Sequence, residues 1–285
     1  MNILNNFKFY IFVYLIVSVI FNQSYKVVTK TNINDGILTI LIQSISVITC
    51  IFLLPFFKIR FSTDFKVYIF LFISIIFYTI NDRLGTTARK GLESSIYIIL
   101  KQMSTVFMIF MGIVFFKEPF ILKKILGALL IVLSNIIVFY KKETFKFNKY
   151  LLCGIIANAC LSLALFLDVN TSNKFNLSFY VLLTFLIPLI LIFLFERVKI
   201  KYIVKEYKSC NKFSLIVTGF TWSLMMITKL KSYELGRVSV VAPLTSLTVI
   251  LNIIVSYFFL KEKSNMLKKI IAGILIIIGV ILIKS

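Results

Sequence analysis

The chain has 285 residues, of which 60% are hydrophobic and only 15% charged, and it carries a net charge of +21 with no histidine. A soluble domain carries about 25% charged residues, so a water-soluble globule is excluded. The lack of His excludes Ser-His and Cys-His nucleophiles and His-ligated metals, and with neither G-x-G-x-x-G nor G-x-x-x-x-G-K-[ST] present there is no nucleotide-driven engine in the chain.

Apolar runs predict an all-α integral membrane protein with ten transmembrane helices, at residues 9–28, 37–57, 65–80, 91–116, 125–140, 150–167, 177–195, 213–230, 238–260 and 267–283. Ten spans of about 20 residues occupy roughly 200 positions, which leaves short connections and no room for a soluble domain. The first run is read as a retained helix rather than a signal peptide, because it lacks an A-x-A-like site and further spans follow. Basic residues gather at the ends of the runs, where Lys and Arg meet headgroups and anionic lipid. The charge therefore reads as interfacial anchoring in a lipid bilayer, with no nucleic acid as partner. The longest connection, 196–212, holds Arg197, Lys199, Lys201, Lys205, Lys208 and Lys212.

An internal repeat divides the chain. Shifted by 144 residues, 94–118 overlays 238–262 with matches at Ser95/Ser239, Leu100/Leu244, Ile109/Ile253, Phe115/Phe259, Lys117/Lys261 and Glu118/Glu262. One inserted residue later, Lys123-Lys124 meets Lys268-Lys269, and one more brings Gly127 onto Gly273. The halves are residues 1–143 (helices one to five) and 144–285 (helices six to ten). Five spans is an odd number, so the halves are inverted, a plan that secondary transporters share, with substrate held near the midplane.

The block Phe115-Phe-Lys-Glu-Pro-Phe-Ile-Leu-Lys-Lys-Ile-Leu-Gly resembles the end of an EamA repeat of the drug/metabolite transporter superfamily. So do Phe259-Leu-Lys-Glu-Lys with the following Lys268-Lys-Ile-Ile-Ala-Gly, and Gly236-Arg-Val-Ser-Val-Val-Ala-Pro-Leu-Thr-Ser-Leu before the ninth span. The first copy departs from the pattern, with Ile99 where the second has Pro243. The resemblance implies ten helices, two inverted five-helix repeats and a central cavity for a small-molecule substrate. It does not fix the substrate, because the superfamily spans amino-acid exporters, drug exporters and nucleotide-sugar carriers. It also places both termini in the cytoplasm, whereas Lys and Arg are more numerous on the opposite side, so the orientation stays open. The expected location is a bacterial plasma membrane; a homodimer is also left open.

Lys101 is the most informative position, about ten residues inside its span and so about 15 Å deep. A charge there costs about 2.5–3.5 kcal/mol even on insertion scales and normally faces a wet cavity or a partner. Ser94, Ile98, Lys101, Thr105, Met108 and Gly112 share its helix face, flanked by Gln102, and Thr245, Val249, Asn252 and Ser256 form the matching stripe in the ninth helix. The candidate substrate-binding set is Lys101, Gln102, Asn22, Asn158, Trp222, Thr245 and Asn252, with helix–helix contact as the competing role for the small and polar members. No catalytic residue, metal site or cofactor is expected. Lys26 and Lys229 lie near enough to helix ends to snorkel, and Glu118 and Glu262 suit the start of the next helix. All eleven acids fall near a predicted span end or connection, which disfavours proton-coupled efflux of cationic drugs.

The sequence is thus that of a secondary-active or facilitative transporter, not an enzyme, moving an anionic or zwitterionic, amino-acid-like metabolite by alternating access. A nucleotide-sugar or sugar-phosphate carrier, a membrane enzyme acting on lipid-linked substrates and a non-transporting sensor or scaffold are the alternatives.

Overall fold

A computed structural model describes residues 6–30, 33–58, 60–104, 106–107, 121–139, 148–236, 241, 244–245 and 247–284. Among these the regular structure is helical throughout, with no strand. The helices are α1 (Phe7–Thr29), α2 (Asp35–Leu53), α3 (Phe65–Gly91), α4 (Ser94–Lys101), α5 (Leu122–Phe139), α6 (Lys149–Thr171), α7 (Leu177–Phe195), α8 (Ile200–Ser209), α9 (Lys212–Leu235), α10 (Thr248–Phe259) and α11 (Met266–Lys284). Six of them are long and apolar enough to cross a membrane: α1, α2 with the turn that follows it, α3, α6, α7 and α9. Two shorter apolar stretches, Ile125–Ile137 and Thr248–Phe259, lie in α5 and α10.

The Asn-rich connections start the helices. Asn6 and Asn148 accept from the amides of Lys8 and Tyr150 at the starts of α1 and α6; Asn34 and Asn176 do the same for α2 and α7, and Asp64 and Asn211 for α3 and α9. Each cap thus has a counterpart in the other half. Helix pairing follows the same exchange: α1 lies on α9 as α3 lies on α6, α2 on α9 as α7 on α3, and α1 on α10 as α6 on α4, while α2–α7, α4–α10 and α5–α11 map onto themselves.

Lipid offers helices no hydrophobic drive to associate, so small residues and interhelical hydrogen bonds must hold them. Ser46 of α2 donates to the Gly219 carbonyl (2.9 Å), Ser223 of α9 returns a bond to the Ser46 carbonyl (3.0 Å), and Ser178 of α7 donates to that of Cys50 (2.8 Å). Large apolar side chains such as Phe12, Phe52, Leu129 and Ile278 are left on the outside, as a lipid solvent allows.

Three expectations change. The third span does not end at residue 80: α3 runs on to Gly91, so Asp82 and Arg89 are helical rather than in a connection. The fourth helix is interrupted after Lys101, where the Gln102 amide turns back to the Ile99 carbonyl (3.0 Å) instead of continuing the α ladder, and residues 103–104 and 106–107 are helical again; the rest of that expected span lies outside the described residues, together with Thr105, Met108, Gly112, Lys117 and Glu118. Pro243 lies outside them too. The connection 196–212 contains a helix of its own, α8.

A Cβ on Gly219 would sit 2.6 Å from Ile45 Cβ and 2.8 Å from the Ile42 carbonyl oxygen. Backbone cannot give way as a side chain can, so Gly219→Ala should wedge α2 from α9 and cost about 1–3 kcal/mol, read as a lower thermal unfolding temperature in detergent.

Candidate functional site

Helices α1, α3, α4, α6, α7 and α9 enclose a cavity of about 40 Å³, room for a few waters. Its wall is aromatic on one side: Trp222 of α9 lies 5.6 Å from the Phe21 ring and 5.0 Å from that of Phe185, with Tyr25 at 6.1 Å. Met225 and Met226 extend this wall. Thr184 of α7 also lines the cavity, and Pro188, one turn on, has no N–H to give to the Thr184 carbonyl.

The rest of the lining carries charge. Asp82, Gly85, Thr86 and Arg89 of α3 line the cavity from one helix face, with Lys101 at the end of α4 and Lys229 in α9. Arg89 is fixed from several directions. Its Nη1 donates to Asn22 Oδ1 (2.9 Å), and its guanidinium stands 5.0, 4.6 and 4.1 Å from the ring centroids of Phe21, Tyr25 and Tyr97. The Asp82 carboxylate accepts from Gln43 Nε2 and Asn81 Nδ2, both at 2.8 Å. Among the described residues, the ammonium groups of Lys101 and Lys229 have no hydrogen-bond or ion-pair partner. Lys101 lies within electrostatic reach of both Lys229 and Arg89, and Lys229 within reach of Asp168, a fully buried acid held by the hydroxyls of Ser74 (2.6 Å), Tyr180 (2.6 Å) and Tyr78.

Between α3 and α4 the chain turns at Gly91–Glu93, with Leu92 buried, and the free backbone ends there take side-chain partners. Lys26 Nζ donates to the carbonyls of Arg89 (2.9 Å), Lys90 (3.2 Å) and Leu92. Glu262 accepts from the amides of Ser94 (2.7 Å) and Ser95 (3.1 Å) and from the Ser95 hydroxyl (2.6 Å). The buried Lys269 pairs with Glu93 beside it.

Residues 146–285 match the family model of the EamA-like transporter family. The match covers the second half of the chain, which is similar to that family. The long apolar helices and this similarity to a transporter family make the protein an integral, multi-pass membrane protein. A solved crystal structure, described only as that of a protein, shares the fold with a TM-score of 0.53, covering 96% of this chain and 97% of that one at 14% identity. No curated protein matches the sequence.

Of the seven candidate residues, Lys101 and Trp222 line the cavity and the other five do not. Short amide side chains in helices bond back to the carbonyl one turn earlier, and this engages three of them. Asn22 donates to the Ser18 carbonyl (2.7 Å) and reaches the cavity only through Arg89; Asn158 donates to that of Gly154 (2.6 Å); Asn252 donates to that of Thr248 (2.8 Å) and accepts from Gln23 (3.3 Å). Gln102 and Thr245 are buried outside the lining.

The acids need correction, for Asp82 lines the cavity and Asp168 is fully buried. Lys229 faces the cavity rather than the interface, and Lys26 closes the end of α3. Glu262 serves not the next helix but α4, in the other half. Asp82 and Arg89 went unseen because Asn-Asp-Arg-Leu-Gly-Thr-Thr-Ala-Arg reads as a loop. The signal was there in the spacing: 82, 85, 86 and 89 recur at helical intervals and form one face.

Glu262→Ala strips two helix-start amides of their acceptor and should cost about 1–2 kcal/mol, measured as a fall in unfolding temperature; an unchanged temperature would mean the amides find another acceptor.

Proposed function

We propose that the chain is a ten-helix secondary-active or facilitative transporter, built as two inverted five-helix repeats, that moves a small anionic or zwitterionic metabolite by alternating access. The architecture is supported by the shared caps Asn6/Asn148, Asn34/Asn176 and Asp64/Asn211, and by helix pairings that survive exchange of the halves. The reading of substrate class rests on one observation. Three cations, Arg89, Lys101 and Lys229, and one carboxylate, Asp82, share a buried cavity with an aromatic and Met wall.

Unpaired ammonium groups inside a membrane protein are costly, and a carboxylate placed between Lys101 and Lys229 relieves both. Arg89 is already stacked and bonded, so it adds field without needing to move. Asp82 suits the ammonium of a zwitterion, and Trp222, Phe185 and the Met pair suit an apolar side chain: the charge pattern is that of an amino acid. Lys supplies point charge, while the amides around Asp82 and Arg89 hold those groups in register. A cavity of about 40 Å³ holds water but no metabolite, so binding requires the surrounding helices to part, as alternating access demands. The excess of cations favours a second reading, a sugar-phosphate carrier.

Thermal unfolding of the purified protein against amino acids, simple carboxylates, sugar phosphates, nucleotide sugars and lipophilic cations tests the class. A ligand at 100 times its Kd adds about 2.7 kcal/mol. Stabilisation by an anion or zwitterion should vanish in Lys101→Met and Lys229→Met, with the unliganded unfolding temperature kept or raised. Asp82→Asn should abolish zwitterion binding and spare simple carboxylates; sparing both would take Asp82 out of recognition. Stabilisation by cations alone would overturn the reading, and binding without flux in proteoliposomes would mark a sensor.

A further inference from the structure

Helix α8 (Ile200–Ser209) is built unlike the others. None of its residues is buried, and it is too short to cross a membrane, about 15 Å long at 1.5 Å per residue. It stands between two helices that are long enough to cross, beginning just after α7 ends at Phe195 and ending just before α9 begins at Lys212. It therefore lies at the level where those spans leave the bilayer.

The geometry fixes it there. Arg197 adopts a left-handed φ of 49°, and the Val198 amide turns back to the Phe193 carbonyl (3.2 Å), so the chain leaves the axis of α7 sharply. Glu196 is tied to Arg83 of α3, and Val198 and Ile203 rest on the protein core. At the far end Cys210 is buried and Asn211 caps α9. The helix is thus held at both ends and along one edge.

Its faces are sorted. At 3.6 residues per turn Ile200, Ile203, Val204 and Tyr207 fall on one side, and Lys201, Lys205 and Lys208 on the adjoining one. Ile200 is 68% exposed and Val204 48%. These apolar residues adjoin in sequence the lipid-facing ends of the neighbouring spans, where Phe195 is 79% and Phe213 78% exposed. Lys and Arg outnumber acids six to two over residues 196–212, and one of the two acids, Glu196, is engaged by Arg83.

We propose that α8 is an interfacial helix that binds anionic phospholipid, with Ile200, Val204 and Tyr207 seated at the acyl boundary and Lys201, Lys205 and Lys208 on the headgroup phosphates. Apolar residues continuous with a lipid-facing surface need an apolar medium, and the lysine flank beside them needs negative charge; an anionic bilayer surface offers both at one depth. Tyr207, on the apolar face, fits the same level, where amphipathic rings collect.

The test uses the full chain in nanodiscs of pure phosphatidylcholine and of phosphatidylcholine mixed with phosphatidylglycerol. Wild-type protein should unfold at a higher temperature in the mixed discs, and high salt should erase the difference. The combined Lys201→Gln, Lys205→Gln, Lys208→Gln variant should match wild type in pure phosphatidylcholine and lose the gain, each lysine being worth about fivefold in affinity for the charged surface. An equal gain in the variant, or none in wild type, overturns the proposal. Independently, an environment-sensitive fluorophore on Val204→Cys should be quenched by lipids carrying a quencher high on the acyl chain. Emission as in water, without quenching, overturns it whatever the unfolding data show.

Discussion

Where a helix ends, its last carbonyls or first amides lose their partners in the ladder, and the structure depends on how that is met between α3 and α4. Two helices meet there, one leaving carbonyls free and the other amides. Lys26 takes the carbonyls at Arg89, Lys90 and Leu92, and Glu262 takes the amides of Ser94 and Ser95. Neither partner comes from the junction itself: Lys26 belongs to α1, and Glu262 lies between α10 and α11 in the other half of the chain.

This arrangement sets the cavity. Arg89 lies two residues before the end of α3, and Lys101 is the last residue of α4. A shift in the junction would displace both charges together. The guanidinium is further confined by Asn22 and three rings, so the cationic wall is preformed and not assembled around a ligand. Beside it the aromatic wall is carried by α1, α7 and α9, with α9 contacting both of the others. The two walls share α9, which carries both Lys229 and Trp222, and meet at α1, with Phe21 touching both Arg89 and Trp222.

Long apolar runs made most of the helices legible in the sequence, since 20 consecutive apolar residues leave few alternatives. What escaped was polar sequence continuing a helix. Residues 81–91 look like a connection by composition, yet α3 carries them as a face turned to the cavity. The same blindness hid α8, whose lysines drown its apolar periodicity. In the site, Lys101 and Trp222 could be found because each is chemically out of place in its span, a buried charge and a lone indole. Asn22, Asn158 and Asn252 looked equally out of place, but an amide can spend its donor on its own helix, and one sequence does not reveal which choice it makes. Glu262 was legible as a helix-starting carboxylate, though not which helix it would start.

The chain has a single tryptophan, and Trp222 is built into the cavity wall with three aromatic rings around it. Its intrinsic ultraviolet emission therefore comes from one place. No second indole dilutes it, so the native protein holds an optical reporter of the polarity and occupancy of its own cavity, and the opening or filling of that space can be followed without any label.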